Sequence, residues 1–256
     1  MIKSIKSIIK NRYWNKLIEL QYGRDIVVLF AQEYVNSRML NEVSILDIGL
    51  GKSTDILNIK NSLCQNNENL QLNMYGLEFY EPNIIHAKKN GISVHSFDLE
   101  RDKMPFEDGS MDIIVMNQVL EHTKEWYYIF KEVNRVLKKD GICIVGLPNL
   151  VSWHERVRLF LGKHPNCLDA KGPHIRGIVA KNFIDFVEQK GLFKSSKVHG
   201  RYFYGILNYK ANLFFSKLFP TLCVSTFFVL RKIKDDDFSK ILDDKFLETN
   251  FYREKK

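Results

Sequence analysis

The stretch Ser44-Ile45-Leu46-Asp47-Ile48-Gly49-Leu50-Gly51-Lys52-Ser53 constrains this chain more than any other. An apolar run ends in an acid and then a Gly-x-Gly turn. Two glycines two apart let the backbone turn sharply and approach a ligand closely, because no Cβ intervenes. The residues that follow can open a helix whose N-terminus faces the turn. That order makes a nucleotide-sized pocket at the carboxyl end of a first parallel strand. Spacing then separates the nucleotides. A phosphate-cradling loop needs a glycine five residues before Gly51, where Leu46 stands. The dinucleotide fingerprint needs a glycine three residues after Gly51, where Thr54 stands. Its ribose-binding acid lies about 20 residues past the glycines, and Glu78 is further away. Asp47 inside the motif would repel a pyrophosphate and suits a cationic or amine-bearing ligand.

Downstream, apolar runs and helical spacing alternate. Periodicity predicts helix 24–40, strand 44–49, helix 53–66, strand 71–78, helix 81–90 and strand 92–97. Strand 111–117, helix 123–138, strand 141–147, helix 180–190 and a sixth strand at 192–198 follow. Strands alternating with helices make a mostly parallel α/β sheet. Carboxylates at the ends of neighbouring parallel strands converge on one crevice, and Glu78 and Asp98 stand at such ends. Glu78 can accept two hydroxyls, and Asp98 can accept an amine N–H.

Five ordered segments carry a resemblance. They are Leu46 to Gly51, Tyr75-Gly76-Leu77-Glu78, Phe97-Asp98-Leu99, Met104 to Val115 with Asn117 to His122 behind it, and Leu137 to Leu147. Together they resemble the core of class I S-adenosylmethionine-dependent methyltransferases. The resemblance implies a Rossmann-like seven-stranded sheet with helices on both faces and an antiparallel last strand. It implies S-adenosylmethionine as cofactor and S-adenosylhomocysteine as product. Asp47, Gly49, Gly51, Glu78, Phe79, Asp98, Leu99, Asn117, Gln118 and His122 would then line the cofactor site. Glu78 would hold the ribose hydroxyls, Asp98 would meet the adenine amine, and Leu99 would cover the ring. Ser53 departs from the pattern, since a third glycine often stands there.

Charge divides the chain. Residues 1–24 carry a net +5, residues 25–150 a net −6 and residues 151–256 a net +9, within a total of +8. The cofactor half is acidic, and the segment after Asn149 is basic. A basic substrate side predicts a small anionic acceptor rather than a nucleic acid, because no RNA-binding module accompanies it. Pro148 to Arg176 is similar, more loosely, to bacterial methyltransferases related to methionine-biosynthesis accessory proteins and surface-polysaccharide methyltransferases. That likeness implies a phosphorylated or nucleotide-activated precursor of a capsule or other surface glycan as acceptor. Arg156, Arg158 and Arg176 are candidate clamps for its anionic group. Glu121, Asn149, His154 and Tyr13 are further candidates on the substrate side.

A methyl transfer needs a base only where the acceptor is protonated, as a hydroxyl is. His122, just past the fourth strand, and His174, in the basic segment, are the candidate catalytic residues. The four cysteines, Cys64, Cys143, Cys167 and Cys223, show neither disulfide nor zinc-ligand spacing. No metal is expected, and reduced thiols suit a cytoplasmic protein. Lys3, Lys6 and Lys10 interrupt the apolar residues at the N-terminus, which is therefore not read as a secretory signal. The expected organisation is a helical cap over 1–40, a catalytic domain over 41–232 with a substrate-side insertion at about 150–179, and a charged tail over 233–256. Residues 2–20 have the spacing of an amphipathic helix with a basic face. Residues 213–230 hold one charge, Lys217, with Pro220 in the middle, and are read as the end of a helix over 204–219 followed by a buried strand. These two segments leave peripheral membrane contact, and with it a lipid- or polyprenyl-linked acceptor, as the rival reading. A non-catalytic protein retaining the cofactor fold is the other. Oligomeric state is not legible.

Overall fold

The computed structural model describes residues 19–196, 198–206, 208–238 and 240. Tyr13, most of the helix expected over 2–20 and the tail beyond Lys240 lie outside them. The chain runs through α1 (Arg24–Arg38), β1 (Glu42–Ile48), α2 (Thr54–Asn66), β2 (Gln71–Leu77), α3 (Glu81–Lys89) and β3 (Ser93–His95). β4 (Met111–Asn117), α4 (Trp126–Val136) and β5 (Leu137–Pro148) follow. The last third holds α5 (Trp153–Phe160), α6 (Ala180–Val187), β6 (Phe193–Ser195), β7 (His199–Arg201), α7 (Tyr209–Leu218) and β8 (Ser225–Lys232).

All eight strands join one sheet in the order β3-β2-β1-β4-β5-β8-β6, with β7 also on β8. Strands β1 to β5 pair in parallel. β8 is antiparallel to β5, β6 and β7. This is the α/β Rossmann-like sheet expected, with one difference. The sixth strand is two short strands lying along β8, so eight stand where seven were expected. Other boundaries also move. β5 begins at Leu137, because Leu137 already pairs with Met111 on β4. α7 begins at Tyr209, where the Asn208 side chain accepts the Ala211 N–H at 3.0 Å and caps the helix.

Period-two alternation sorts the core onto two faces. Leu46, Ile48, Ile114, Met116, Cys143 and Val145 face one side, under Ile129 and Phe130 of α4 and Phe183 of α6. Val43, Ile45, Ile113, Val115, Ile142 and Ile144 face the other, under Ile26 and Phe30 of α1 and Ile56 of α2. The central strands are covered on both sides, so they read as continuous apolar runs. α4 places Trp126, Ile129, Phe130 and Val133 on one stripe at helical spacing. β1 leads to β2 on one side and lies beside β4 on the other. Connections leaving the carboxyl ends of β1 and β4 therefore diverge, which opens a crevice there.

Candidate active site

The glycine turn sits at that crevice. Gly49, Gly51 and Ser53 all have left-handed backbone, with φ of 69°, 50° and 59°. A Cβ on Gly49 would come within 2.6 Å of Val119 Cγ2, so no larger residue fits. Ser53 holds a conformation that costs a non-glycine residue roughly 1–2 kcal/mol, and its Oγ is buried without a hydrogen-bond partner. That geometry accounts for glycine in the related motif. The Gly51 N–H donates to Glu78 Oε2 at 2.9 Å. The Glu78 carboxylate also accepts the Phe79 and Tyr80 N–H groups and Asn83 Nδ2. Glu78 thus ties the turn after β1 to the loop after β2. Four donors match the lone-pair capacity of one carboxylate.

Acids gather under the turn. Asp47 is buried. Burial first, then the neighbouring Asp55 and Glu78 carboxylates, push its carboxyl well above the usual range against the Ile56 N–H. Burial also raises Asp55, against the Asn117 hydrogen bond and the Arg24 charge. Asn117 donates from Nδ2 to Tyr22 O at 2.8 Å and to Asp55 Oδ2 at 3.0 Å. It braces the chain before α1 against α2.

A cavity of about 920 Å³ opens above these acids, within the size range of small-ligand sites. Gly49, Glu78, Phe79, Asp98, Leu99, Gln118 and His122 line it. Asp47, Gly51 and Asn117 do not, and act from behind its wall. Phe97, Glu100, Asp102, Val119 and Pro173 line it as well, and sequence reasoning did not single them out as site residues. Asp102 Oδ2 accepts the Asp98 N–H at 2.9 Å. Glu100 accepts the Lys124 and Glu125 N–H groups just before α4. An acid two or four residues past Asp98 was the available signal. Gln118 has left-handed backbone, φ 59°, and its Nε2 is buried without a partner. That donor and the acids beneath the turn fit a ligand that carries a cation and acceptor atoms.

His122 stands on the rim. Its Nδ1 is 3.2 Å from Pro173 O, and its ring lies 4.8 Å from the His174 ring, edge to face. His174 Nδ1 is 2.9 Å from Cys167 O. Burial, aided by His174 and opposed by the Pro173 contact, holds His122 below the ordinary imidazole value. Glu121 is fully buried. Neither of its carboxylate oxygens meets a donor from another residue, and burial pushes the carboxyl up to about 7. The Ile175 N–H donates to Glu121 O at 2.9 Å, which docks the insertion on the turn after β4. The two candidate bases and Glu121 are therefore brought together.

The other substrate-side residues are not. Asn149 is buried and donates to Thr221 O and Cys223 O. His154 stacks on Tyr204 at 4.3 Å. Arg156 donates to Val151 O, and Arg158 to His164 O. Arg176 donates to Thr123 O and Lys124 O and lies over the Trp126 ring at 4.8 Å. None of these five lines the cavity.

Sheet order, glycine turn and the acids at the strand ends define the class I S-adenosylmethionine-dependent methyltransferase fold, and residues 46–145 match the family described as methyltransferase domain. Beyond that domain the likenesses are more distant. Over 136 residues the chain is 23% identical to the ubiquinone biosynthesis O-methyltransferase of Pelagibacter ubique, across 52% of this chain and 53% of that one. The chain spans about half the length, or less, of the curated relatives it matches. A solved Thermotoga maritima methyltransferase, described as a possible histamine N-methyltransferase, superposes with a TM-score of 0.56 at 18% identity, over 88% of this chain and 95% of that one. The plantazolicin methyltransferase BpumL, solved with a triazolic desmethylPZN analog and S-adenosylhomocysteine, gives 0.56 at 15% identity, over 90% of this chain and 91% of that one. These superpositions show the fold.

Proposed function

We propose that this chain transfers the methyl group of S-adenosylmethionine to a hydroxyl of a small-molecule acceptor. The observation that carries the reading is the cavity at the ends of β1 and β4, where Gly49, Glu78, Asp98 and His122 meet. Asp98 would hold the cofactor's amine, and Glu78 its hydroxyls, once one of the four donors on the Glu78 carboxylate gives way to them. Asp47 and Asp55 stand behind the turn as carboxyls that burial raises, and a ligand bearing a sulfonium and an ammonium would favour their ionised forms. The cofactor supplies an activated methyl carbon, and the chain positions it and excludes water. A hydroxyl acceptor must lose a proton, and the Glu121–His122–His174 group stands where it would do so. The O-methyltransferase name of the Pelagibacter ubique relative supports a hydroxyl acceptor. A phosphorylated or nucleotide-activated glycan precursor remains the narrower form of this proposal. It would need a cation beside the cavity, whereas Arg156, Arg158 and Arg176 bind carbonyls outside it.

Calorimetry with S-adenosylhomocysteine tests the cofactor step. Glu78→Ala and Asp98→Ala should each weaken binding about tenfold or more, the worth of a hydrogen bond to a charged group. No binding by the parent chain, or binding untouched by both changes, sinks the reading. A radiolabelled methyl-transfer screen against small-molecule extracts then identifies the acceptor.

A second reading, a lipid- or polyprenyl-linked acceptor met at a membrane face, is favoured by one surface. Val157, Phe160 and Leu161 near α5 and Phe214 and Leu218 on α7 are exposed. The Trp153 indole joins the two regions by donating to Tyr204 O at 2.9 Å. Among the described residues no helix is long and apolar enough to cross a membrane, so such contact would be peripheral.

A further inference from the structure

We infer that Glu121, His122 and His174 bind one divalent transition-metal cation of the zinc type at the rim of the cofactor cavity. Each residue offers one ligand atom, and the three atoms lie within 4.8 Å of one another. Ligand bonds of about 2.0–2.2 Å place such atoms roughly 3–3.5 Å apart. Binding a cation therefore asks the three atoms to draw together by about 1 Å.

Two independent observations point to a cation. The first is Glu121. A fully buried carboxylate is costly unless it is paired or coordinates a metal, and neither Glu121 oxygen has a donor from another residue. The His122 Nε2 atom lies 4.0 Å from Oε1, beyond hydrogen-bond reach. The second is the pinning of both imidazoles. Pro173 O and Cys167 O can only accept, so the Nδ1 atoms facing them at 3.2 Å and 2.9 Å carry the protons. That leaves Nε2 of each ring as the lone-pair nitrogen. A ring N–H held by a backbone carbonyl is the usual outer arrangement of a metal-binding histidine.

Two imidazoles and a carboxylate suit zinc, iron or manganese better than magnesium, which prefers oxygen ligands alone. Three protein ligands leave coordination positions open, as in catalytic rather than structural sites. His122 and Pro173 both line the cavity, so the group borders the space where an acceptor would lie. There an acceptor hydroxyl would bind through oxygen and lose its proton to bulk water at a lower pH than when free. This role rests on the methyl transfer proposed above. The binding of the cation does not.

The test is calorimetric titration of Zn²⁺, Mn²⁺ and Mg²⁺ separately into the full chain after chelation and dialysis, with metal content read by mass spectrometry. One equivalent of Zn²⁺ or Mn²⁺ should bind, and Mg²⁺ more weakly. His174→Ala and Glu121→Gln should each weaken binding by about 100-fold. His86→Ala, on an exposed face of α3, should leave it unchanged. S-adenosylhomocysteine affinity, measured on the same variants, reports that they are folded. No stoichiometric metal on the parent chain, or equal binding by folded His174→Ala, overturns the site. Failure of the parent chain to bind S-adenosylhomocysteine overturns the methyl-transfer reading instead.

Discussion

Asp47 is buried at the end of β1, and the Asp55 and Glu78 carboxylates raise its carboxyl beyond what burial alone would do. An ionised Asp47 is therefore a cost to the fold, borne for the charge it places behind the glycine turn. The sign follows from linkage. A carboxyl whose folded value lies above its unfolded value, about 3.9, lowers stability as pH rises past that unfolded value. Asp47→Asn keeps an oxygen for the Ile56 N–H and removes the charge. At neutral pH it should stabilise the chain by about 1 kcal/mol, raising Tm by roughly 2–4 °C. The gain should vanish near pH ~3, below the unfolded value. Thermal melts across pH check this, and a gain as large in acid as at neutrality would contradict it. The same variant should bind S-adenosylmethionine more weakly, since the matching charge is gone. Part of this residue was legible from position alone. An acid inside a glycine turn signals a cationic ligand, but whether it touches the ligand depends on which way the strand's alternation points it, and Asp47 does not line the cavity.

Among the elements, α4 is braced against the loop before β4 by the paired side chains of Arg135 and Glu132. Arg135 donates to Met104 O, Phe106 O and Asp108 Oδ1, and bidentately to Glu132. Glu132 is buried and otherwise accepts the Met104 N–H. Arg135→Ala strands that carboxylate, so a loss of about 3 kcal/mol in urea unfolding is expected. Adding Glu132→Met should recover most of it, because no charge is then left buried. A single variant within about 0.5 kcal/mol of the parent would refute the brace. Elements such as β1, β4 and the glycine turn were legible because their signals are local: an apolar run, a glycine spacing, a helix start. The Glu121–His122–His174 group was not. His122 meets the insertion at Pro173, 51 residues further along the chain, and no metal-ligand spacing spans that distance. Its members were read as separate bases and a substrate contact, and the docking of the insertion, through the Ile175 N–H on Glu121 O and Arg176 on Thr123 O and Lys124 O, brings them to one point. The arginines misled for the opposite reason. Charge count shows that the segment is basic, but not that Arg158 and Arg176 are occupied by carbonyls.

At the scale of the whole molecule, the net charge of +8 is unevenly spread, and residues 151–256 alone sum to +9 against −6 over 25–150. The exposed apolar side chains of α5 and α7 lie in that same basic region, where Arg156, Lys163, Lys210 and Lys217 are also exposed. Single surface apolar groups need no explanation, but several on two helices of one basic segment suit a surface that is both apolar and anionic. Phe160 is 90% exposed and Phe214 63%, and burying each is worth about 1.5–3 kcal/mol. Basic residues near an anionic surface add about 1 kcal/mol each at physiological salt. An anionic bilayer supplies both terms, and a neutral one only the first. The chain should therefore float with phosphatidylserine vesicles and much less with phosphatidylcholine vesicles. Raising salt to ~0.5 M should release most of it, because the Debye length shortens to a few ångströms. Phe160→Ser with Phe214→Ser should cut partitioning by about tenfold or more and leave S-adenosylhomocysteine affinity unchanged, since neither residue lines the cofactor cavity. Equal flotation on neutral and anionic vesicles would remove the charge term, and flotation on neither would remove the membrane-face reading and leave a freely diffusing small molecule as the acceptor.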